Sequence, residues 1–268
     1  MRWLTAALEW QSRAVVARHF TVYRRNWWTA FLPPAFEPVT MLLAFGLGLG
    51  GWVAGITWNG RSLPYMSYVA PGLLAYTVFI TAIFQTLFAA FIRMHFQKTW
   101  EGQLTTQVEL RHVIWGEVLW AAVLTTMYFA IVSVVLVLCR LAGLVEIDVT
   151  VLPLLLPLAF VGACAFGALG LCFTALVPSI DHMNVPLFLL VLPMAMVSGT
   201  YFPMQHPWLA VVAVPNPLYH LAEANRALLL HGPVAGHLAA ALGIFILMIG
   251  VLVPLNLRLL RRRVLGED

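Results

Sequence analysis

The chain has 268 residues, of which 62% are hydrophobic and only 10% charged, with a formal net charge of +4. Soluble proteins carry about 25% charged residues, and a domain of this length with so few could not cover its own surface, so a soluble globular fold is excluded. The arginines gather at the ends of apolar stretches, a pattern of orientation in a bilayer and not of a nucleic-acid surface.

Residues 5–28 are the first predicted element. Val16, Phe20, Tyr23 and Trp27 recur at helical spacing, with Arg18, Thr21 and Arg25 on the opposite face. That division suits an amphipathic helix lying in the membrane interface. Arg2, Arg13, Arg18, Arg24 and Arg25 interrupt this region, so no cleavable signal is expected.

The first span is predicted over 29–53, with Trp27 and Trp28 at one end and Trp52 and Trp58 at the other as interfacial belts. Pro33, Pro34 and Pro38 are expected to disturb its first turns. Gly46 and Gly50, with Gly48 and Gly51 beside them, offer a face for close helix approach. The second span covers 67–92 and ends at Arg93; a polar stretch, 94–112, follows. Spans three, four and five cover 113–138, 151–177 and 185–202, with Gly162, Gly167 and Gly170 as close-packing positions in the fourth. Residues 203–235 are apolar but broken by Pro203, Pro207, Pro215, Pro217 and Pro233. A straight spanning helix does not carry five prolines, so two short re-entrant helices are predicted there. The sixth span covers 236–257 and an arginine-rich tail closes the chain. Cys139, Cys164 and Cys172 form no CxxC and read as small core residues.

With both termini on one side, that side holds twelve of the Lys and Arg residues and the other holds only Arg61, Arg140 and Arg226. The positive-inside rule then puts both termini, 94–112 and 178–184 in the cytoplasm and 203–235 outside. Lys98 is the only lysine, and it stands between Gln97 and Thr99, so there is no Walker-type phosphate loop.

This order of elements resembles the permease subunit of a type-2 ABC exporter. EPVTMLLAFGLGLG (37–50), YVAPGLLAY (68–76), WEGQLTTQVELRHVIWGEVLWAA (100–122), SGTYFPM (198–204) and NPLYHLAEANRALLLHG (216–232) resemble the NodJ branch, which is associated with lipooligosaccharide export. Thr106, Gln107 and Val108 depart from a Thr-Pro-hydroxyl step found in some relatives. The resemblance implies one all-α permease domain over 1–268, paired with a second copy and with two ATPase subunits that bind ATP and Mg. It implies no cofactor on this chain and no nucleic-acid partner.

Within the 94–112 loop, Thr99 is placed to cap a short helix on which Trp100, Leu104 and Val108 form an apolar stripe. The stripe either docks into a partner groove or packs back onto the permease's own helix ends. The resemblance favours docking and assigns ATPase coupling to Trp100, Glu101, Gly102, Leu104 and Val108. Glu37, a carboxylate inside the first span, either meets a polar group of the cargo or tethers the interfacial helix through Arg24, Arg25 or a backbone donor. Glu117 is expected to snorkel or pair locally near the end of span three. Glu223 and Arg226 stand three apart and are predicted to pair. With Phe202, Pro203, Pro217 and His220 they make the candidate outer gate that the resemblance implies, against plain packing of a loop.

His206, His220, His231 and His237 have no HxxxH or HExxH spacing, so no metal site is expected. An intramembrane enzyme would need a nucleophile with its base, and no Gly-x-Ser-x-Gly occurs. A passive scaffold does not explain a gate-like segment and a coupling-like loop together. The reading is therefore an exporter permease in a bacterial inner membrane. Its cargo is a lipid-linked glycan, a lipooligosaccharide or a similar amphiphile, with a hydrophobic drug as the alternative.

Overall fold

A computed structural model describes residues 2–50, 52–53, 55–204 and 206–266. Gly51 lies outside the described residues. Four helices among the described residues are long and apolar enough to cross a membrane: Tyr65–Phe96, Leu110–Leu141, Val149–Leu176 and Ala235–Val264. Two shorter apolar stretches, Phe36–Gly46 and Asp181–Met196, accompany them. The protein is an α-helical polytopic membrane protein.

Helix α1 spans Trp10–Arg25. Its protein-facing side is Ser12, Val15 and His19, while Phe20 and Trp27, from the predicted apolar face, stay exposed. Val16 and Tyr23 pack beside Trp120. The burying stripe is thus rotated from the one hydropathy predicts, because small and polar groups here find partners inside: the Ser12 hydroxyl donates to the carbonyl of Ala6 at 2.6 Å.

Helix α2 runs Trp27–Leu43 and continues as a wider turn over Ala44–Leu49. Its backbone stays helical through 33–38, so the prolines do not break it as expected. A Cβ added at Gly46 would sit 2.6 Å from Cγ of Met66, so the small-residue face does admit a neighbouring helix.

A β-hairpin follows, β1 (Ile56–Trp58) and β2 (Arg61–Leu63), antiparallel with Trp58 opposite Arg61. Asn59 at φ 48° and Gly60 at φ 75° make its two-residue turn. Asn-Gly between strands is a strong hairpin signal, and an all-helical reading of the chain overlooks it.

Helix α3, Tyr65–Phe96, is the central element, buried almost continuously from Tyr65 to Ile83. Gly72 matters to it: a Cβ there would lie 2.7 Å from the carbonyl oxygen of Thr200. Lys98 then turns the chain in a left-handed conformation at φ 53° and stands at the N-cap of α4, Thr99–Leu104. Thr99 is the first helical residue and not the cap, and no side chain caps this helix.

Helix α5, Leu110–Leu141, starts on a reciprocal cap between Glu109 and His112. Helix α6 is Leu152–Leu176. Its last carbonyls are capped by Arg263, whose Nη1 donates to Thr174 at 2.9 Å and to Val177 at 2.5 Å. Helix α7 covers Asp181–Met196, ending before the predicted limit of 202. Gly199 at φ 66° turns the chain away there. The broken segment then forms two short helices, α8 (Pro207–Ala213) and α9 (Pro217–Leu229), each with proline in its first turn. Asn216 caps α9 by accepting from the amide of Leu218 at 3.0 Å.

Helix α10, Ala235–Leu265, packs on α6 and turns Ile246, Leu247, Val251 and Leu255 outward. Exposed leucine and valine also line α5 and α7, at Val134, Leu138 and Leu189. Apolar residues on both the inside and the outside suit a lipid surround. All three cysteines are free and buried, as expected of small core residues.

Candidate functional site: two buried ion clusters and a cavity between them

Tyr68 and Arg93 stand 25 residues apart on α3. At about 1.5 Å per residue that separation is roughly 37 Å, somewhat more than the ~30 Å thickness of a bilayer core. Each belongs to a buried ion cluster, so the clusters lie at opposite ends of α3.

At the Arg93 end the centre is Glu117 on α5, which is fully buried. Arg93 donates to it from Nε at 3.1 Å and also from Nη2, and Nη2 reaches the carbonyl of Gln85 at 3.1 Å. The indole of Trp100 donates to Glu117 Oε1 at 2.9 Å. His19 of α1 brings Nε2 to 3.3 Å from the same oxygen, an ion-pair distance without hydrogen-bond alignment, and tilts against Trp120. One carboxylate therefore gathers α1, α3, α4 and α5. Glu117 pairs locally and does not snorkel.

This geometry corrects the expected apolar docking stripe. Trp100 is wholly buried, and Leu104 and Val108 are half-buried against the permease core. The exposed side of α4 and the turn after it is polar: Glu101, Gly102, Thr105, Thr106 and Gln107. Lys98 donates to Glu101 at 2.7 Å across this surface, and nothing stands over Gly102. Nearby, Glu9 approaches Nε2 of His112 at 2.7 Å and Arg111 at 3.7 Å, which ties the segment before α1 to α5. The hydrogen bond from His112 is the main cause holding the Glu9 carboxyl below its ordinary range.

At the Tyr68 end, Glu223 and Arg226 form the predicted pair, three residues apart on α9. Arg226 is fully buried. Its Nε donates to the carbonyl of Tyr68 at 3.1 Å, its Nη2 to that of Gly199 at 2.9 Å, and its guanidinium sits 4.0 Å over the Tyr68 ring. Glu223 accepts from the indole of Trp58 at 2.9 Å. Trp58 of the hairpin is the member that spacing could not find, since it lies 165 residues away.

The other residues assigned to this end divide. Pro217 is buried in the first turn of α9, Pro203 is half-buried, and Phe202 is exposed. His220 donates from Nε2 to the carbonyl of Val214 at 2.7 Å, and its Nδ1 lies 3.3 Å from Nδ1 of His237. No group of three or more His, Cys, Asp and Glu that could hold a metal occurs among the described residues.

Between the clusters is a cavity of about 370 Å³ at α2, α3, α5 and α7. Glu37, Tyr76, Gln85 and Tyr128 supply polar groups to its wall, and Phe84 and Leu187 apolar ones. Glu37 is exposed to this space, and Tyr76 lines the same cavity. Among the described residues no salt bridge joins Glu37 to Arg24 or Arg25, so the expected ionic tether does not form.

Residues 11–230 match the family described as ABC-2 type transporter, which is more than half of the chain. The chain belongs to the ABC-2 type transporter family. It is similar to Nodulation protein J of Rhizobium leguminosarum bv. viciae, 32% identical over 256 residues covering 94% of each chain. It is similar as well to Nodulation protein J of Sinorhizobium fredii, 32% identical over 261 residues covering 96% of this chain and 95% of the relative. This member of the ABC-2 family is thus a NodJ-like permease, a transport subunit and not the catalytic one. Family membership implies ATPase and permease partners.

Proposed function

We propose that this chain is the membrane subunit of an ATP-driven exporter that moves an amphiphile out of the cytoplasm or the inner leaflet. The observation that carries this reading is the similarity to NodJ proteins along 94% of the chain. The cargo implied by that branch is a lipooligosaccharide or another lipid-linked glycan. Efflux of a hydrophobic natural product is the second reading, favoured by the largely apolar wall of the central cavity.

Six crossings complete the arrangement, with α2 and α7 as the shorter two and α8 and α9 dipping into the outer leaflet. The arginine distribution supports cytoplasmic termini in a bacterial inner membrane. Two copies face each other over two ATPase subunits. The Glu117 cluster then sits at the cytoplasmic face, and the polar surface of α4, with Glu101 and Gly102, meets the ATPase. A push on α4 reaches α1, α3 and α5 together through Trp100 and Glu117, a rigid-body route to alternating access. The Glu223–Arg226 cluster closes the outer end.

The test is reconstitution with the ATPase subunit in proteoliposomes holding a fluorescent lipid-linked oligosaccharide. ATP-dependent movement of the glycan to the opposite leaflet is expected. Hydrolysis by this chain alone, or a coupled complex that moves no amphiphile, would count against the reading.

A further inference from the structure

Glu37 stands ten residues beyond Trp27 on α2. At about 1.5 Å per residue this is roughly 15 Å, half the thickness of a bilayer core. Tyr76, across the cavity, stands 8 residues from Tyr68 and 17 from Arg93 on α3, which also puts it well inside. A carboxylate at such depth is costly unless something compensates it. Glu37 faces open space, whereas each of the two buried carboxylates already has a cation: Glu117 has Arg93, and Glu223 has Arg226. Glu37 has no salt bridge among the described residues, and its neighbour Tyr76 offers one neutral hydroxyl. Phenol and amide groups of Tyr76, Gln85 and Tyr128 add dipoles but no positive charge, while Phe84 and Leu187 give an apolar wall.

We infer that the cavity binds an amphiphile whose head carries a protonated amine, with the ammonium on Glu37 and the tail along the apolar wall. The ammonium donates to the carboxylate and supplies the charge that no described residue places there. An amino-sugar glycolipid and an alkylamine natural product share this chemistry. The inference rests on the exporter reading and gives that exporter's cargo a charge.

The full chain in lipid nanodiscs is titrated by calorimetry with decylamine, decyl glucosaminide, decyl glucoside and decyl sulfate, each corrected with empty nanodiscs. Charge-assisted hydrogen bonds contribute more than neutral ones, so the amine probes are expected to bind at least about tenfold tighter than the glucoside. Glu37→Gln should abolish that preference. Tight binding of the glucosaminide alone assigns the head to a glycolipid, and binding of both amines extends it to simple alkylamines; both support the ammonium. A second measurement uses the unaltered chain: the amine probe that binds more tightly, and not decyl glucoside, should lower the dicyclohexylcarbodiimide adduct on Glu37, by protection or by amide formation with the amine, read by mass spectrometry. Equal binding of amine and glucoside, a preference that survives Glu37→Gln, or an undiminished adduct overturns the inference. ATP-driven transport with charge-blind binding counts against this inference alone. Amine-selective binding without ATP-driven transport leaves it standing and removes the exporter reading.

Discussion

The indole of Trp100 donates a 2.9 Å hydrogen bond to Glu117, and both side chains are fully buried. Trp100 of the 94–112 loop therefore faces the permease and fixes α4 to α5. Its truncation acts first on this protein's own stability and only then on any partner.

Trp100→Ala should destabilise the isolated permease by about 3–5 kcal/mol, the usual cost of removing a large buried ring. Trp100→Phe, which keeps most of the volume but leaves Glu117 short of a donor, should cost about 1–3 kcal/mol. Thermal melting of the detergent-solubilised chain measures both. An unchanged melt with lost ATPase retention would mean that Trp100 turns outward in the assembled transporter.

Arg93→Met should be harsher than Arg93→Met combined with Glu117→Gln. The single change strands a buried carboxylate, at about 3–5 kcal/mol, whereas the double change removes both charges. Melting of the three proteins in parallel checks the order, and a double variant no better than the single would remove the ion pair from the explanation.

At the other end, Glu223→Gln and Arg226→Gln should each impair export while α4 still couples to the ATPase. Arg226→Gln should be the worse of the two, because Arg226 also donates to the carbonyls of Tyr68 and Gly199. Trp58→Phe should loosen the hairpin, seen as faster protease cleavage near Asn59–Gly60. Transport assays with wild-type rates for both charge variants would reduce the pair to a structural clamp.

The Glu9–His112 contact predicts a pH dependence. The Glu9 carboxyl is held below its ordinary value of 4.5, chiefly by the hydrogen bond from His112. A depressed carboxyl adds stability above its unfolded value and loses it as pH falls through the folded one. The melting difference between wild type and Glu9→Gln should therefore shrink as pH drops below 4.5. A difference that does not shrink below that pH would contradict the assignment.

The orientation can be tested with one cysteine placed at position 61 in a cysteine-free background. Arg61 lies in the hairpin beside the Trp58–Glu223 bond, so an impermeant maleimide should label it from outside intact cells. Labelling only in inverted vesicles would reverse the topology.

Much of this was legible in the sequence because it is local. Hydropathy alone sets the long spans around α3, α5, α6 and α10, since burying a helix in lipid depends on consecutive side chains. The broken segment follows from its prolines, and the Glu223–Arg226 pair from a three-residue spacing on one helix. Asn59–Gly60 was equally local, and the hairpin could have been read from it. What only the tertiary structure decided is which way amphipathic groups point. Whether Trp100 faced a partner or its own protein depended on Glu117, 17 residues on, and Glu117 in turn on Arg93 and His19 from two other helices. The latch of Trp58 on Glu223 joins residues 165 apart. Such pairings arise because a buried charge must find its partner wherever packing brings one, and no periodicity in the chain records that choice.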